Sequence, residues 1–481
     1  MAVIADNPNP ETDDDLKRAL GPLHLISLGI GCIIGAGIFV LTGHAAAGYA
    51  GPGVVISFAI AGMGCLFAGL CYSEYASMIP VAGSAYTYTY ATLGRFIAWI
   101  IGWNLVLEYL AAASTVAVGW SGYLNNFLSS VGLPIPHAFA NAPLAGHGFA
   151  DMSLTGAVMN LPAVAIIALI TWVLIAGVKT SANFNNAMVV IKLTIVLVVI
   201  FACFSYIVPA NHTPFIPPNT GEVGHFGWTG VFRATGVIFF AYIGFDAVSV
   251  AAQEAKNPQR DIPIGMLGSL IICTVLYMLM SYVLTGIAPY QTLNVAHPVS
   301  QAVEALPGTR WLAPFVNVGA VVGLASVVLV LLMAQSRVFY AMSRDGLIPP
   351  AFSKIHPKFR TPWKGNIVTG IFAALLAGAL PIDILGELVS IGTLAAFTIV
   401  CIGVMVLRVR APRARRPFRT PLVWVTAPLG VFMCLFMMIF LPGDTWLRLA
   451  AWTAIGLGVY FLYSAKHAHP PRYSIEALPA E

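Results

Sequence analysis

Gly29-Ile30-Gly31-Cys32-Ile33-Ile34-Gly35-Ala36-Gly37-Ile38-Phe39 puts four glycines into eleven residues of an otherwise apolar run. A helix that only anchored a chain in a bilayer would use Leu and Val there, because glycine costs about 1 kcal/mol relative to alanine in a helix interior. The glycines either let a neighbouring helix approach closely or mark a place where the helix unwinds at little expense. A second stretch, Phe239-Phe240-Ala241-Tyr242-Ile243-Gly244-Phe245-Asp246, favours unwinding, since it closes an aromatic segment with a carboxylate inside an apolar span. Such a carboxylate is expensive in hydrocarbon unless it is satisfied. Two broken helices at midplane expose amide donors at one half-helix end and carbonyl acceptors at another. That pair of opposite dipole ends suits a zwitterion.

Around these two stretches the chain has 481 residues, 58% hydrophobic and 9% charged. So few charges cannot cover a soluble globule of that size, so the solvent must be a bilayer. Apolar runs of spanning length are expected near 24–48, 53–78, 96–124, 155–177, 186–208, 229–252, 264–287, 312–341, 366–380, 384–407, 421–441 and 445–465. Pro381 and Asp383 sit just before the tenth run and make the short ninth span the hardest to draw.

Lys and Arg collect on alternate connections: Lys17, Arg18, Arg95, Lys179, Lys256, Arg260, a cluster from Arg337 to Lys364, another from Arg408 to Arg419, then Lys466 and Arg472. The connections 125–154 and 209–228 contain neither residue. By the positive-inside rule both termini face the cytoplasm, across a plasma membrane crossed about twelve times. The net charge of +5 then reflects topology, with no need for a nucleic-acid partner. An acidic start, Asp13 to Asp15, lacks the basic character of a cleaved leader. All seven cysteines fall inside the expected spans, which argues against disulfides and metal clusters.

No ring-forming filter sequence argues for a channel and no sizeable outer or inner domain for a receptor. Nor does any nucleophile motif, metal cluster or nucleotide loop argue for an enzyme. What remains is a carrier in one membrane domain. Glycine interruptions at similar depth in the first and sixth spans hint at inverted repeats, with helices one to five mirroring six to ten.

The motifs Ile34 to Phe39, Phe239 to Asp246, Glu254-Ala-Lys-Asn-Pro-Gln-Arg-Asp-Ile-Pro263 and Ala341-Met-Ser-Arg-Asp-Gly-Leu-Ile-Pro349 occur in this order. Together they resemble the amino acid, polyamine and organocation superfamily, in particular bacterial permeases similar to cationic amino acid transporters. The resemblance implies an all-α, LeuT-type core of two inverted five-helix repeats, residues 24–208 and 229–408. Two further helices over 421–465 and cytoplasmic tails at 1–23 and 466–481 complete the chain. It also implies alternating access. A proton gradient is expected as the driving force, with no cofactor, and a monomer is taken to suffice.

In that scheme the substrate carboxylate takes N–H groups around Gly35, Ala36 and Gly37, and its ammonium group meets carbonyls of Ile34 and of Phe240, Ala241 and Ile243. Phe240 closes over it. Lys192, within Asn185-Asn-Ala-Met-Val-Val-Ile-Lys-Leu193 of the fifth span, would stand where sodium-driven cousins hold a cation, touching carbonyls of the broken first helix. The plainer reading is that it snorkels to the interface along its stem. Desolvation disfavours a charged ammonium group, which makes Lys192 the candidate proton coupler.

Glu108 in the third span has two open readings, packing in a protonated form or a part in transport. Asp246 reads as a structural cap or partner. His24 and His44, near the ends of the first span, read as interface packing, and the run Arg413 to Arg416 as a topology determinant. Small Ala325 and Ser326 in the eighth span would leave room for a longer substrate. A proton symporter for neutral amino acids, with cationic ones within its range, leads over an exchanger or a cationic amino acid or polyamine carrier of the same fold.

Overall fold

The computed structural model describes residues 20–79, 84–146, 152–177, 182–249, 255–359 and 361–469. Lys17, Arg18, Lys179, Glu254, Arg472 and the acidic start therefore lie outside the described residues. Helices dominate the described chain, and β-structure among the described residues is confined to a two-residue strand pair, Leu144–Ala145 with Ser153–Leu154, and a bridge between Leu20 and Ala255.

The first span begins at Pro22, whose missing N–H is no loss in a helix's first turn, and its first half ends at Ile33. Ile34 leaves the helical region (φ −72°, ψ 95°). Helix resumes at Gly37 and continues through residue 50, where Gly51 turns the chain with φ +57°. The sixth span breaks in the same manner: helix over Gly227–Ile238, a tight turn over Phe239–Tyr242, then Ile243 extended (φ −63°, ψ 139°). Gly244 follows with φ +108°, a conformation open to glycine at little strain. Its missing side chain also lets the Cys32 backbone approach, since a Cβ there would lie 3.2 Å from the Cys32 carbonyl carbon.

Ten unbroken spans complete the described architecture. They are Val54–Met78, Arg95–Ser130, Leu161–Ala176, Ala182–Phe204, Pro258–Ile287, Ala313–Arg344, Trp363–Ala379, Ile382–Arg410, Val423–Ile439 and Gly443–Val459. Among the described residues, eight helical stretches are long and apolar enough to cross a membrane, and four shorter apolar helices, among them Pro22–Ile33, supply the rest. Several boundaries differ from the hydropathy reading. The fourth span starts at Leu161 rather than 155, because the Asn160 side chain accepts from the Ala163 N–H and caps it there. The third runs on to Ser130, well past 124. A largely buried helix, Ser84–Leu93, occupies what hydropathy leaves as a connection. Pro381 does separate the ninth span from the tenth.

On the basic face, Glu74 at the end of the second span is fully buried and accepts from Arg408 (2.8 Å), Arg416 (3.2 Å) and the Thr420 N–H (2.8 Å). Arg416 is thus a buried partner, beyond its part in topology. Breaking one side of such a pair strands a buried charge.

Candidate functional site

The two broken spans cross where Gly37 meets Ala241. A Cβ on Gly37 would stand 2.4 Å from Ala241 Cα, so only glycine permits this approach of backbones. Beside the crossing lies a narrow cavity. The first span contributes Cys32, Ile33, Gly35, Ala36 and Gly37, the sixth Phe240 and Ile243, the third Ala112 and Val116, and the eighth Val327 and Leu331. The free space between these walls is only about 10 Å³, room for about one water, so the site is nearly closed in this conformation. No charged side chain lines it among the described residues.

The residues singled out from sequence are distributed as follows. Gly35, Ala36, Gly37, Phe240 and Ile243 line the cavity. The Ile34 side chain does not, and its carbonyl accepts instead from Lys192. Ala241 sits at the crossing, and its carbonyl lies 2.8 Å from the Tyr277 hydroxyl, which is also 2.7 Å from the Ile33 carbonyl. The Phe240 carbonyl accepts from the Ile243 N–H. Ala325 and Ser326 lie off the cavity lining, and the Ser326 hydroxyl turns back to the Gly323 carbonyl.

Tyr277 therefore holds the two interrupted backbones together through groups that helix geometry leaves unpaired. Replacing Tyr277 with Phe removes the one hydroxyl proton that these two buried carbonyls share, at an expected loss of about 1–3 kcal/mol. Thermal unfolding of the variant should begin several degrees lower, and an unchanged midpoint would mean that the hydroxyl holds nothing.

Lys192 is 1% exposed and donates to Gly31 O at 2.9 Å and Ile34 O at 3.3 Å. It does not snorkel. The fifth span grips the first at a second point as well, where the Ser27 hydroxyl donates to Asn186 Oδ1 at 2.9 Å. Gly323 of the eighth span makes room for the lysine stem, because a Cβ there would meet Lys192 Cγ at 3.0 Å and Cε at 3.2 Å.

Antiparallel packing of the third and eighth spans sets a register. Gly102 faces Met342, and Asn126 donates to Asn317 at 3.2 Å. Ala112 with Leu331 and Val116 with Val327, all cavity residues, follow the same spacing. Glu108 then falls level with Gln335, about 6 Å below Ala112 at one helical turn. Glu108 is 0% exposed, and its carboxyl lies against the Thr393 hydroxyl of the tenth span without a well-formed hydrogen bond to any described residue. Both amide atoms of Gln335 also lack such a bond. Asp246 is different, since Tyr109 donates to it at 2.8 Å.

At the far end of the first span His44 bridges three elements. Its Nδ1 lies 3.1 Å from Asp383 Oδ1 in the tenth span, and its Nε2 lies 3.1 Å from the Val295 carbonyl in the loop before the eighth. Simple interface packing does not describe it. Near the basic face, the Lys256 N–H donates to the Leu20 carbonyl at 2.9 Å. The cavity thus has ties on both sides along the first span.

Tyr277, Gly323, Gln335 and the cavity walls Val327 and Leu331 escaped the sequence reading. Of these, only Gly323 carried a signal, as a glycine interrupting an apolar span.

An amino acid permease family model matches residues 20–460. The methylthioribose transporter of Bacillus subtilis (strain 168) is 48% identical over 453 residues, 94% of this chain and 95% of that protein. The branched-chain amino acid permease BcaP of the same organism is 47% identical over 457 residues, 95% of each chain. The vacuolar cationic amino acid transporter 4 of Arabidopsis thaliana is 38% identical over 406 residues, 82% of this chain and 64% of that protein.

Proposed function

Because the chain belongs to the amino acid permease family, matched over residues 20–460, we propose that it imports neutral amino acids together with protons by alternating access. The observation that carries this reading is the cavity between two broken spans, walled by Ile33, Val116, Ile243, Val327 and Leu331, with a buried amine on the neighbouring backbone. A zwitterion's carboxylate would meet the N–H groups that open the second half of the first span, around Gly35 to Gly37. Its side chain would lie against the apolar wall. The name of the branched-chain relative agrees with such a wall.

Lys192 is the coupling group in this reading. Protonated, it holds carbonyls of Gly31 and Ile34 with a charge-assisted bond. Deprotonated, it holds them less strongly and frees the first half-helix to move. A monomer suffices, and the basic face is the cytoplasmic one, with both termini on that side of the plasma membrane.

A second reading, breadth toward cationic amino acids, is favoured by Glu108, a fully buried carboxyl one turn beneath Ala112. Liposome uptake of labelled isoleucine, alanine, arginine and methylthioribose, under an inward proton gradient and without sodium, separates the cases. Accumulation of isoleucine that a protonophore abolishes is the expected outcome. Arginine as the preferred substrate would move the assignment to the cationic reading. Uptake only into preloaded vesicles would make the protein an exchanger.

A further inference from the structure

A groove of about 550 Å³ opens on the basic face, between the start of the seventh span and the loop that follows the tenth. Gln259 and Arg260 stand at its head, while Ile264, Leu267, Gly268 and Phe418 form its walls. We propose that this groove seats an anionic phospholipid, with the phosphodiester against Arg260 and Gln259 and an acyl chain running along the seventh span.

Charge selects the headgroup. Arg260 is exposed, and its guanidinium makes no ion pair with any described residue. Phe418 is flanked in sequence by Arg415 and Arg419, both exposed. The nearest described carboxylate in sequence, Asp261, is 3% exposed and turned inward, where it accepts from the Asn257 N–H at 3.2 Å. Basic residues just outside a spanning helix attract anionic lipid in this way.

Shape selects a lipid over a free anion. From Ile264 the groove wall continues as an exposed apolar stripe, Ile271 at 53%, Val275 at 51% and Leu279 at 42%. Steps of three to four residues keep such a stripe on one helical face. Inorganic phosphate would use the head of the groove and leave this wall without an occupant.

The seat also adjoins the working half of the first span. A Cβ on Gly268 would meet Ile26 Cδ1 at 3.1 Å, and one on Gly265 would meet Leu25 Cβ at 2.7 Å. A lipid in the groove therefore lies against the helix that supports the half-span carrying Gly31 and Ile34.

The test uses the full-length protein, purified in mild detergent and exposed to equimolar phosphatidylglycerol and phosphatidylcholine. Retained lipid is read by native mass spectrometry and stability by thermal unfolding. Phosphatidylglycerol should be retained in preference and raise the unfolding midpoint, while phosphatidylcholine and inorganic phosphate should not. Arg260→Gln should lower phosphatidylglycerol retention about fivefold, the weight of one basic residue at an anionic surface. Ile264→Trp, which fills the groove and leaves the charge in place, should do the same.

Lys256→Gln removes an exposed cation of the same face that lies outside the groove lining, and should change little. Equal retention of both lipids by the wild type, or equal losses in the Lys256 and Arg260 variants, would overturn the proposal. Since no transport is measured, failure here is separable from failure of the symport reading.

Discussion

Replacing Lys192 with methionine should leave a carrier that exchanges substrate yet no longer concentrates it against a pH gradient. One pH unit stores about 1.4 kcal/mol per proton, enough for about tenfold accumulation of a substrate that moves with one proton. The wild-type protein in liposomes should approach that ratio, and Lys192→Met should fall to about one, with no concentration at equilibrium. Methionine keeps an unbranched stem of similar length, so the channel beside Gly323 stays filled. What disappears is the donor to Gly31 O and Ile34 O. Counterflow into preloaded vesicles should survive, which separates loss of coupling from loss of fold. A variant that still accumulates substrate tenfold would remove Lys192 from the proton path.

The second large effect is expected at Gly37. Alanine there would drive its Cβ to 2.4 Å from Ala241 Cα, and backbone cannot swing aside as a side-chain tip does. Overpacking in a tight core destabilises by about 1–3 kcal/mol, and here the strain falls on the crossing that shapes the cavity. Uptake should be lost and the unfolding midpoint lowered. Gly35 offers the contrast: a Cβ there would meet only methyl groups of Val327, at 3.4 Å and 3.5 Å. Gly35→Ala should therefore fold normally and shrink the cavity, slowing isoleucine more than alanine. Wild-type transport by Gly37→Ala would contradict the observed crossing.

Much of this fold was legible because a membrane imposes simple arithmetic on sequence. Apolar runs of spanning length and the alternation of basic loops mark the spans, and glycine spacing marks the interrupted ones. The break at Ile34 and the bend at Gly244 fall where the sequence is weakest as helix. The cavity walls were not legible in the same way. Val327 and Leu331 look like any other aliphatic residues of an apolar helix, and only the antiparallel register with Ala112 and Val116 turns them inward.

Tyr277 posed the same difficulty, since its value lies in two carbonyls contributed by other spans. Glu74 shows the limit from the charged side: its partners Arg408 and Arg416 are more than 300 residues away. Loop charge counting assigns those arginines to topology alone. His44, placed at an interface by its position in the first span, proved to link the tenth span and the connection before the eighth.

Substrate-dependent proton movement tests the central claim most directly. Vesicles containing the purified protein and a trapped pH-sensitive dye, held at equal pH inside and out with the membrane potential clamped, would receive isoleucine from outside. Acidification of the lumen that follows isoleucine, and that is absent with Lys192→Met, is the result this account requires. Isoleucine entry with no change in lumenal pH would contradict it and make the protein a carrier of amino acids alone.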